Sequence, residues 1–442
     1  MILLVDYYHQ KSQDLHYSLK QVGFQGECVS LSENGFLPKG VESPYGYFCQ
    51  MISDEGHSLY FNQLEVPDFW EITGTNSQGE VWEYQDKKAT IHYSQSGPAR
   101  RIQSVDWLDK QEKPLLTEHY NQYGWLYSRT FYDDEGHPTI RTYQNKSGLE
   151  VMTENLQTGD LLLEWKGQIH VFTNRLDFYR FYLDERQFDL SNICYNSLSQ
   201  PFFLSYYMNQ PGQDILFWQE SISDDLPGNM KALLANNHTR TQHIVFQDLQ
   251  AYQTAQSLVA ADQLKKMSYL GYLYPEKSDK VTQKTILIMT NSDQINQLDF
   301  LSRKLPDYQF HIGAYTEMSQ HLMAKAELDN VFLYPNISAK QLEELISTCG
   351  FYFDINGGSQ VDQIVRRAFE QNLLLFAFEE TVHDRYFIPK SHLFLSSDPD
   401  KLIETIREVE KDFPRAIVNQ RAQTSQDSSE HYHKLLKGVL NG

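Results

Sequence analysis

The sequence predicts an α/β protein built from two Rossmann-like domains, the first interrupted by a large antiparallel β-sheet. Three observations predict it. Short apolar runs with the composition of buried parallel strands, such as Met1–Val5 and Thr285–Met289, alternate with helical periodicities at both ends of the chain. From about Tyr45 to Leu183 that pattern gives way to Tyr-rich, period-2 alternation, as in Trp125–Tyr132 and Thr139–Tyr143. Turn signals punctuate this stretch every ten residues or so. They include Asn76-Ser77-Gln78-Gly79, Ser96-Gly97-Pro98, Asp133-Asp134-Glu135-Gly136, Asn145-Lys146-Ser147-Gly148 and Gln157-Thr158-Gly159-Asp160.

The first domain is expected over 1–44 and 186–265. Its strands are Met1–Val5, Glu27–Leu31, Ile193–Tyr195, Phe202–Tyr206, Ile215–Trp218 and Ile244–Phe246. Its helices are Ser12–Val22, where Leu15, Leu19 and Val22 share a face and Gly23 closes the turn, Asn229–Leu234 and Leu249–Leu264. The inserted meander of eight to ten strands is assigned to 45–185. One layer of sheet cannot bury both its faces, so the second face is covered either by the rest of the chain or by a protein partner. Met267–Pro275 is the expected hinge into a second domain, 266–442. Its strands are Thr285–Met289, Phe310–Ala314, Val331–Tyr334, Phe351–Ile355, Leu373–Phe378 and Leu393–Leu395; Pro399–Val409 and His431–Leu440 are closing helices, and Gln420–Glu430 is a polar surface segment.

A chain of 442 residues with 40% hydrophobic and 22% charged residues is globular. A formal net charge of −20 argues against nucleic acid or an anionic membrane as main partner. The four cysteines (Cys28, Cys49, Cys194, Cys349) show no paired spacing, so neither a zinc site nor a disulfide framework is expected. Met1-Ile2-Leu3-Leu4-Val5-Asp6 lacks the basic flank of a signal peptide, and no apolar run approaches the ~20 residues of a membrane span. A cytoplasmic location is expected.

The stretch most suggestive of chemistry is Phe351–Asn372. A buried strand runs into Gly357 and Gly358, and Val361, Ile364, Val365, Ala368 and Phe369 then recur at helical spacing. Asn356 or Ser359 is placed to cap the helix, and a strand, glycine turn and helix in this order form an anion cradle in many α/β folds. The spacing is neither that of a P-loop nor G-x-G-x-x-G, so a plain tight turn stays open beside the cradle. Elsewhere, His383, Asp384 and Arg385 follow a strand at the carboxyl edge where α/β sheets bind ligands, and are candidate contacts for an acceptor. Glu430, His431 and His433 are too poorly phased on a helix for a metal site, against the alternative of a solvated helix face. Lys87, Lys88, Arg100 and Arg101 form a small basic patch, Cys349 reads as a small buried hydrophobe, and G-x-S-x-G motifs are missing.

Two doubly wound domains joined by one hinge, with a cleft between them, form the GT-B architecture of sugar-nucleotide glycosyltransferases. The opening Met1–Tyr8, the Tyr-rich insertion, Phe353-Asp354-Ile355-Asn356-Gly357-Gly358 and Val365-Arg366-Arg367-Ala368-Phe369-Glu370 resemble the paired subunits of the streptococcal O-linked N-acetylglucosaminyltransferase, over essentially the whole chain. That family glycosylates serine-rich repeat adhesins for accessory Sec export, through a catalytic subunit (GtfA type) and a stabilising, acceptor-binding one (GtfB type). The resemblance implies a hetero-oligomer, two of each subunit, with weak peripheral attachment at the inner face of the cell membrane.

Two departures from the catalytic pattern assign this chain to the non-catalytic subunit. Catalytic relatives carry a basic pair after the first strand of the second domain, whereas Met289–Asp299 here holds no Arg or Lys and contains two carboxylates, Asp293 and Asp299. A carboxylate there would repel a diphosphate. The catalytic motif has His where this chain has Gly357, and Glu where it has Gln360; Glu370 is kept. Asp354, Asn356, Gly357, Gly358, Gln360 and Glu370 are therefore expected to be a vestigial donor motif, with no catalytic residue and no bound cofactor. Asp362 and Glu370 stand eight apart like an acid pair of retaining transferases, but roughly 80° apart on a helical wheel. An active retaining transferase using a UDP-sugar and a purely structural scaffold are the alternatives.

Overall fold

The computed structural model describes all residues except 52–55, 76, 95–99, 237, 277–282, 425 and 441–442. The turns expected at Asn76 and at Ser96-Gly97-Pro98 fall wholly or partly outside the described residues. The chain divides into two compact units, Met1–Tyr272 with Asp427–Gly442, and Leu273–Gln426.

The first unit holds a parallel seven-stranded sheet in the order Met267–Tyr269, Thr241–Phe246, Asp214–Trp218, Ile193–Tyr195, Ile2–Val5, Glu27–Ser30, Val41–Glu42. Met267–Tyr269, expected in the hinge, is thus an edge strand of this sheet. Phe202–Tyr206, expected as strand, lies in the helix Gln200–Tyr206. Pro201 in its first turn favours that start, and burial of Phe202, Leu204 and Ser205 decides what a short aromatic run leaves ambiguous. The C-terminal helix Ser429–Leu440 packs in this unit, its buried Tyr432 donating to the Gly271 carbonyl at 2.6 Å. The expected second domain ran through residue 442; residues 427–442 instead group with the first unit.

The insertion is one ten-stranded antiparallel meander from Glu71–Gly74 to Gln168–Phe172, with strands in sequence order. It is narrower than the 45–185 expected, because Pro44–Phe48 and Arg175–Arg186 are helices. Four of its strands, Ile102–Leu108, Pro114–Tyr120, Leu126–Tyr132 and Pro138–Gln144, start twelve residues apart. The turns that follow them repeat one device. Asp109, Asn121, Asp133 or Asn145 accepts through its side-chain oxygen from the N–H groups two and four residues on, at 2.8–3.3 Å. The residue three along then takes positive φ: Glu112, Gly124, Gly136 and Gly148.

Both faces of the meander are covered in part. At one end Tyr127, Tyr143, Met152, Leu161 and Leu163 join the core of the seven-stranded sheet, where Tyr45 stacks on Tyr143 at 4.8 Å. Charged groups seal this junction: Glu154 is fully buried and paired with Arg175, and Glu33 accepts from Ser43. At the other end Leu59, Leu64, Val66 and Trp70 cover Val81, Ala89, Ile91 and Val105. The basic patch is engaged there, with Arg100 over Phe61, Arg101 over Tyr60 and Lys88 over Trp70.

The second unit is a parallel six-stranded sheet in the order Val331–Tyr334, Gln309–Gly313, Thr285–Met289, Phe351–Asp354, Leu374–Phe378, Leu393–Phe394. Its direction of winding reverses between Thr285–Met289 and Phe351–Asp354, so the loops leaving these two strands meet at the switch point. The helix Phe413–Ala422, which its sequence does not announce, closes the unit: Gln420 accepts from Leu375 N–H and donates to Leu373 C=O, both at 2.8 Å.

The repeated turns yield a test of positive-φ strain. A Cβ added at Gly136 meets nothing within 4 Å, whereas at Gly124 it would lie 2.4 Å from the His57 carbonyl oxygen. Gly136→Ala should therefore cost only the backbone penalty, about 1 kcal/mol, and Gly124→Ala clearly more. Urea unfolding followed by tryptophan fluorescence reports the difference, because all six tryptophans belong to the first unit.

Candidate functional site

Phe351–Asp354 delivers Asp354 to the carboxyl edge with 1% of its surface exposed. A carboxylate so buried requires a cation or several donors. His383 supplies both: its backbone N–H donates to Oδ2 at 2.7 Å and its ring Nδ1 lies 2.6 Å from Oδ1. The other ring nitrogen, Nε2, lies 2.8 Å from the Gly358 carbonyl oxygen. Two acceptors, one at each nitrogen, call for the doubly protonated imidazolium, and the bond to Asp354 raises the His383 pKa above its ordinary value despite partial burial. His383 thereby ties the strand end to the glycine turn.

The turn itself is closed by the chain. Gly357 N–H donates to the Gln294 carbonyl at 2.7 Å, and Gly358 N–H to the Asn356 side chain at 3.0 Å. Asn356, 2% exposed, also accepts from Thr290 Oγ1 at 2.8 Å and donates to the Ser359 carbonyl at 3.0 Å. Asn291 reaches Ser359 Oγ at 2.6 Å. A Cβ at Gly358 would lie 2.1 Å from Asn291 Oδ1, and one at Gly357 would lie 3.0 Å from Gln294 Cβ. The glycines exist to admit the 290–294 loop. Neither has positive φ, so the requirement is space, not backbone freedom.

Of the two readings the sequence leaves open, this geometry fits the plain tight turn and not the anion cradle. The helix begins only at Ile364 and spans seven residues, Ile364–Glu370. Asp362 and Gln363 precede it in left-handed conformation, and neither Asn356 nor Ser359 caps it. The donors that would face an anion are spent on Gln294 and Asn356. Gln360 is exposed. Glu370 accepts from Arg366 at 2.9 Å, and the Arg366 guanidinium lies over Tyr274 and Phe387. Asp362 accepts from Tyr315 OH at 2.6 Å and pairs with Arg367, which also bonds Glu343 at 2.7 Å. The two acids thus sit in separate ion pairs and do not converge.

Of the other candidates, Asp384 accepts from Tyr386 N–H at 3.1 Å and Arg385 pairs with Glu379 at 2.5 Å, both at the exposed rim beside His383. His431 bonds Asp427 at 2.9 Å, and among the described residues no group of acids, cysteines and histidines is placed to hold a metal. All four cysteines are buried. The residues missed by sequence reasoning are Thr290, Asn291, Ser292 and Gln294. Their polarity had marked only a missing basic pair, yet the Asn-Gly-Gly sequence opposite was itself the signal that something approaches closely. The end of this loop, at Asp293 and Gln294, also lines a cavity of 660 Å³ with Asn296, Arg303, His321 and Lys325.

The His383 bridge has a signed pH dependence. Its pKa is raised on folding, so its contribution is complete below about 6.5, the unfolded value, and is lost as pH rises through the folded value. His383→Gln should cost about 3 kcal/mol at pH 6 by leaving Asp354 uncompensated, and the gap to wild type should shrink at alkaline pH. Hydrogen exchange of peptides covering 351–378 checks this; a gap that grew with pH would refute the imidazolium.

Family models match in chain order: a GtfB N-terminal domain at residues 2–48, a GtfB middle domain at 70–173, a GtfB third domain at 175–258 and a GftB/GlyA-F C-terminal domain at 286–423. The chain is 43% identical to the Streptococcus agalactiae protein named UDP-N-acetylglucosamine–peptide N-acetylglucosaminyltransferase stabilizing protein GtfB, over 100% of both chains. It is 45% identical to the Streptococcus parasanguinis protein of the same name, over 91% of each. A chain in the crystal structure of a GtfA/B complex bound to UDP and GlcNAc superposes with a TM-score of 0.92 at 42% identity, over 100% of both chains. The two Rossmann-like units with their inserted meander are the GT-B type of fold, and this chain belongs to the GtfB family of stabilising proteins.

Proposed function

We propose that this chain is the non-catalytic subunit of a protein O-GlcNAc transferase complex. In this role it binds and stabilises a catalytic homologue of the GtfA type and presents a serine-rich repeat adhesin polypeptide, in the cytoplasm. The observation that carries the non-catalytic part is the filled glycine turn: the space and N–H groups at Gly357–Gly358 are taken by Asn291 and Gln294. No cation stands in Met289–Asp299 to neutralise a leaving diphosphate. The stabilising part follows the names of full-length relatives, and the acceptor part rests on the polar rim at His383, Asp384 and Arg385 and on the aromatic-rich meander. Among the described residues no helix is long and apolar enough to cross a membrane.

Co-expression with the catalytic homologue tests the reading. Soluble yield and transfer to a Ser/Thr-rich peptide should both rise at least tenfold when this chain is present. Transfer by the purified chain alone, or tight binding of UDP to it, would overturn the assignment. Measurable affinity of the isolated chain for an unglycosylated Ser-rich peptide separates an acceptor-presenting subunit from a bare scaffold. Introducing lysines at Ser292 and Asn296 should yield no turnover, since Asn291 and Gln294 still fill the turn.

A further inference from the structure

The cavity that opens at Asp293 and Gln294 reverses the charge balance of the molecule. The chain carries 58 acids against 38 lysines and arginines, yet the charged lining here is Arg303, Lys304 and Lys325, with the ring of His321, against Asp293 and Asp299. One wall is the helix Leu298–Lys304. The other runs from the helix Gln320–Met323 into the single turn Ala324–Glu327. Asp299 ties the walls together, accepting from Lys325 Nζ through both oxygens at 2.8 and 2.7 Å. Lys304 stands over the Phe300 ring at 5.4 Å, with Asp400 3.9 Å away. Among the described residues, Arg303 and His321 pair with no acid. Nor does Arg303 bond the carbonyls at the end of its own helix, where the Asn330 amide serves Ser302, Leu305 and Tyr308 at 3.0–3.1 Å.

We propose that this cavity binds a small organic phosphate, with the phosphoryl group among Arg303, His321 and Lys325 and the organic part on Phe300 and the buried Leu298 and Leu322. A guanidinium fork beside an ammonium and an imidazole suits the several oxygens of a phosphate better than a single carboxylate. Size argues for the organic part. At 660 Å³ the cavity falls in the range of small-molecule sites, and a bare phosphate ion would leave most of it to water. Asp293 does not oppose this placement, because Arg303 lies about 7 Å along the helix axis from the first helical residue and Asp293 precedes that residue. The cavity is separate from the glycine turn: neither Asp354–Gln360 nor His383 lines it, and the inference does not rest on the non-catalytic reading. The two places are nonetheless joined through Gln294, which lines the cavity and whose carbonyl accepts from Gly357 N–H. An occupant therefore steadies the loop that fills the turn.

Titration calorimetry on the full-length chain tests this, with phenyl phosphate and inorganic phosphate as probes. Phenyl phosphate should bind with a Kd below about 1 mM, roughly tenfold more tightly than inorganic phosphate. Arg303→Gln and His321→Asn should each weaken it about tenfold, the effect of losing one charge-assisted hydrogen bond; both side chains are exposed, so the fold is kept. Asp299→Asn removes an acid from the wall and should tighten binding severalfold, a gain that general destabilisation does not produce. Phenyl phosphate should also slow hydrogen exchange across 290–300. Absence of binding at millimolar probe, an affinity indifferent to Arg303→Gln, or inorganic phosphate binding as tightly as phenyl phosphate would overturn the proposal.

Discussion

Asp354 sets the terms for the second unit. It ends a central strand of a six-stranded parallel sheet, almost wholly withdrawn from water, and an isolated carboxylate there would cost several kcal/mol. Satisfying it draws His383 down onto the edge, and His383 in turn holds the Gly358 carbonyl. With the glycine turn pinned, the only way to pay for its remaining polar groups is a polar loop laid directly upon it, and 290–294 is that loop. Each bond in the series fixes the geometry the next one needs. The result is a switch point packed with protein, where α/β folds otherwise leave a crevice.

Why the loop fits is a matter of volume as much as charge. Asn291 Oδ1 occupies the place of a Cβ on Gly358. A side chain at that position and this loop conformation exclude each other. Filling the turn commits the N–H groups of Gly357 and Gly358 to hydrogen bonds within the chain. The ion pairs Arg366–Glu370 and Arg367–Asp362 make the same point for the acids. Residues that resemble an acid pair in sequence are each neutralised locally, so that the carboxylates support a short helix and its neighbours.

Much of this was legible in the sequence, for identifiable reasons. Parallel strands buried on both faces read as unbroken apolar runs, and ten of the twelve expected α/β strands correspond to observed ones to within two residues. The meander announced itself through its Asx and Gly turns. What was not legible was decided by contacts distant in sequence. The helix Gln200–Tyr206 has strand composition, and only burial of one face settles it. The helix Phe413–Ala422 was hidden because its working residues are polar: Gln420 completes the sheet edge and Arg421 bonds Asn372 at 2.6 Å. The late start of Ile364–Glu370 depends on two left-handed residues, Asp362 and Gln363, that carry no glycine signal. The twelve-residue repeat was missed because Glu112 stands where its sister turns have glycine.

The two halves of the molecule have solved opposite problems. The second unit closes its switch point with its own loop, using short-range polar contacts that cost little once the backbone is in place. The meander begins with no enclosed site at all, since a single sheet layer must find cover for both faces. It finds cover from the chain at each end, through Tyr45 and the helix Arg175–Arg186 on one side and through Leu59–Trp70 on the other. Between and beyond these, Phe131, Ile140, Leu162, Ile169 and Val171 stay exposed. A family built for assembly need not bury that surface within one chain. A switch point filled with protein in one unit and a partly uncovered sheet in the other leave this chain surface for contact where α/β folds otherwise offer a crevice.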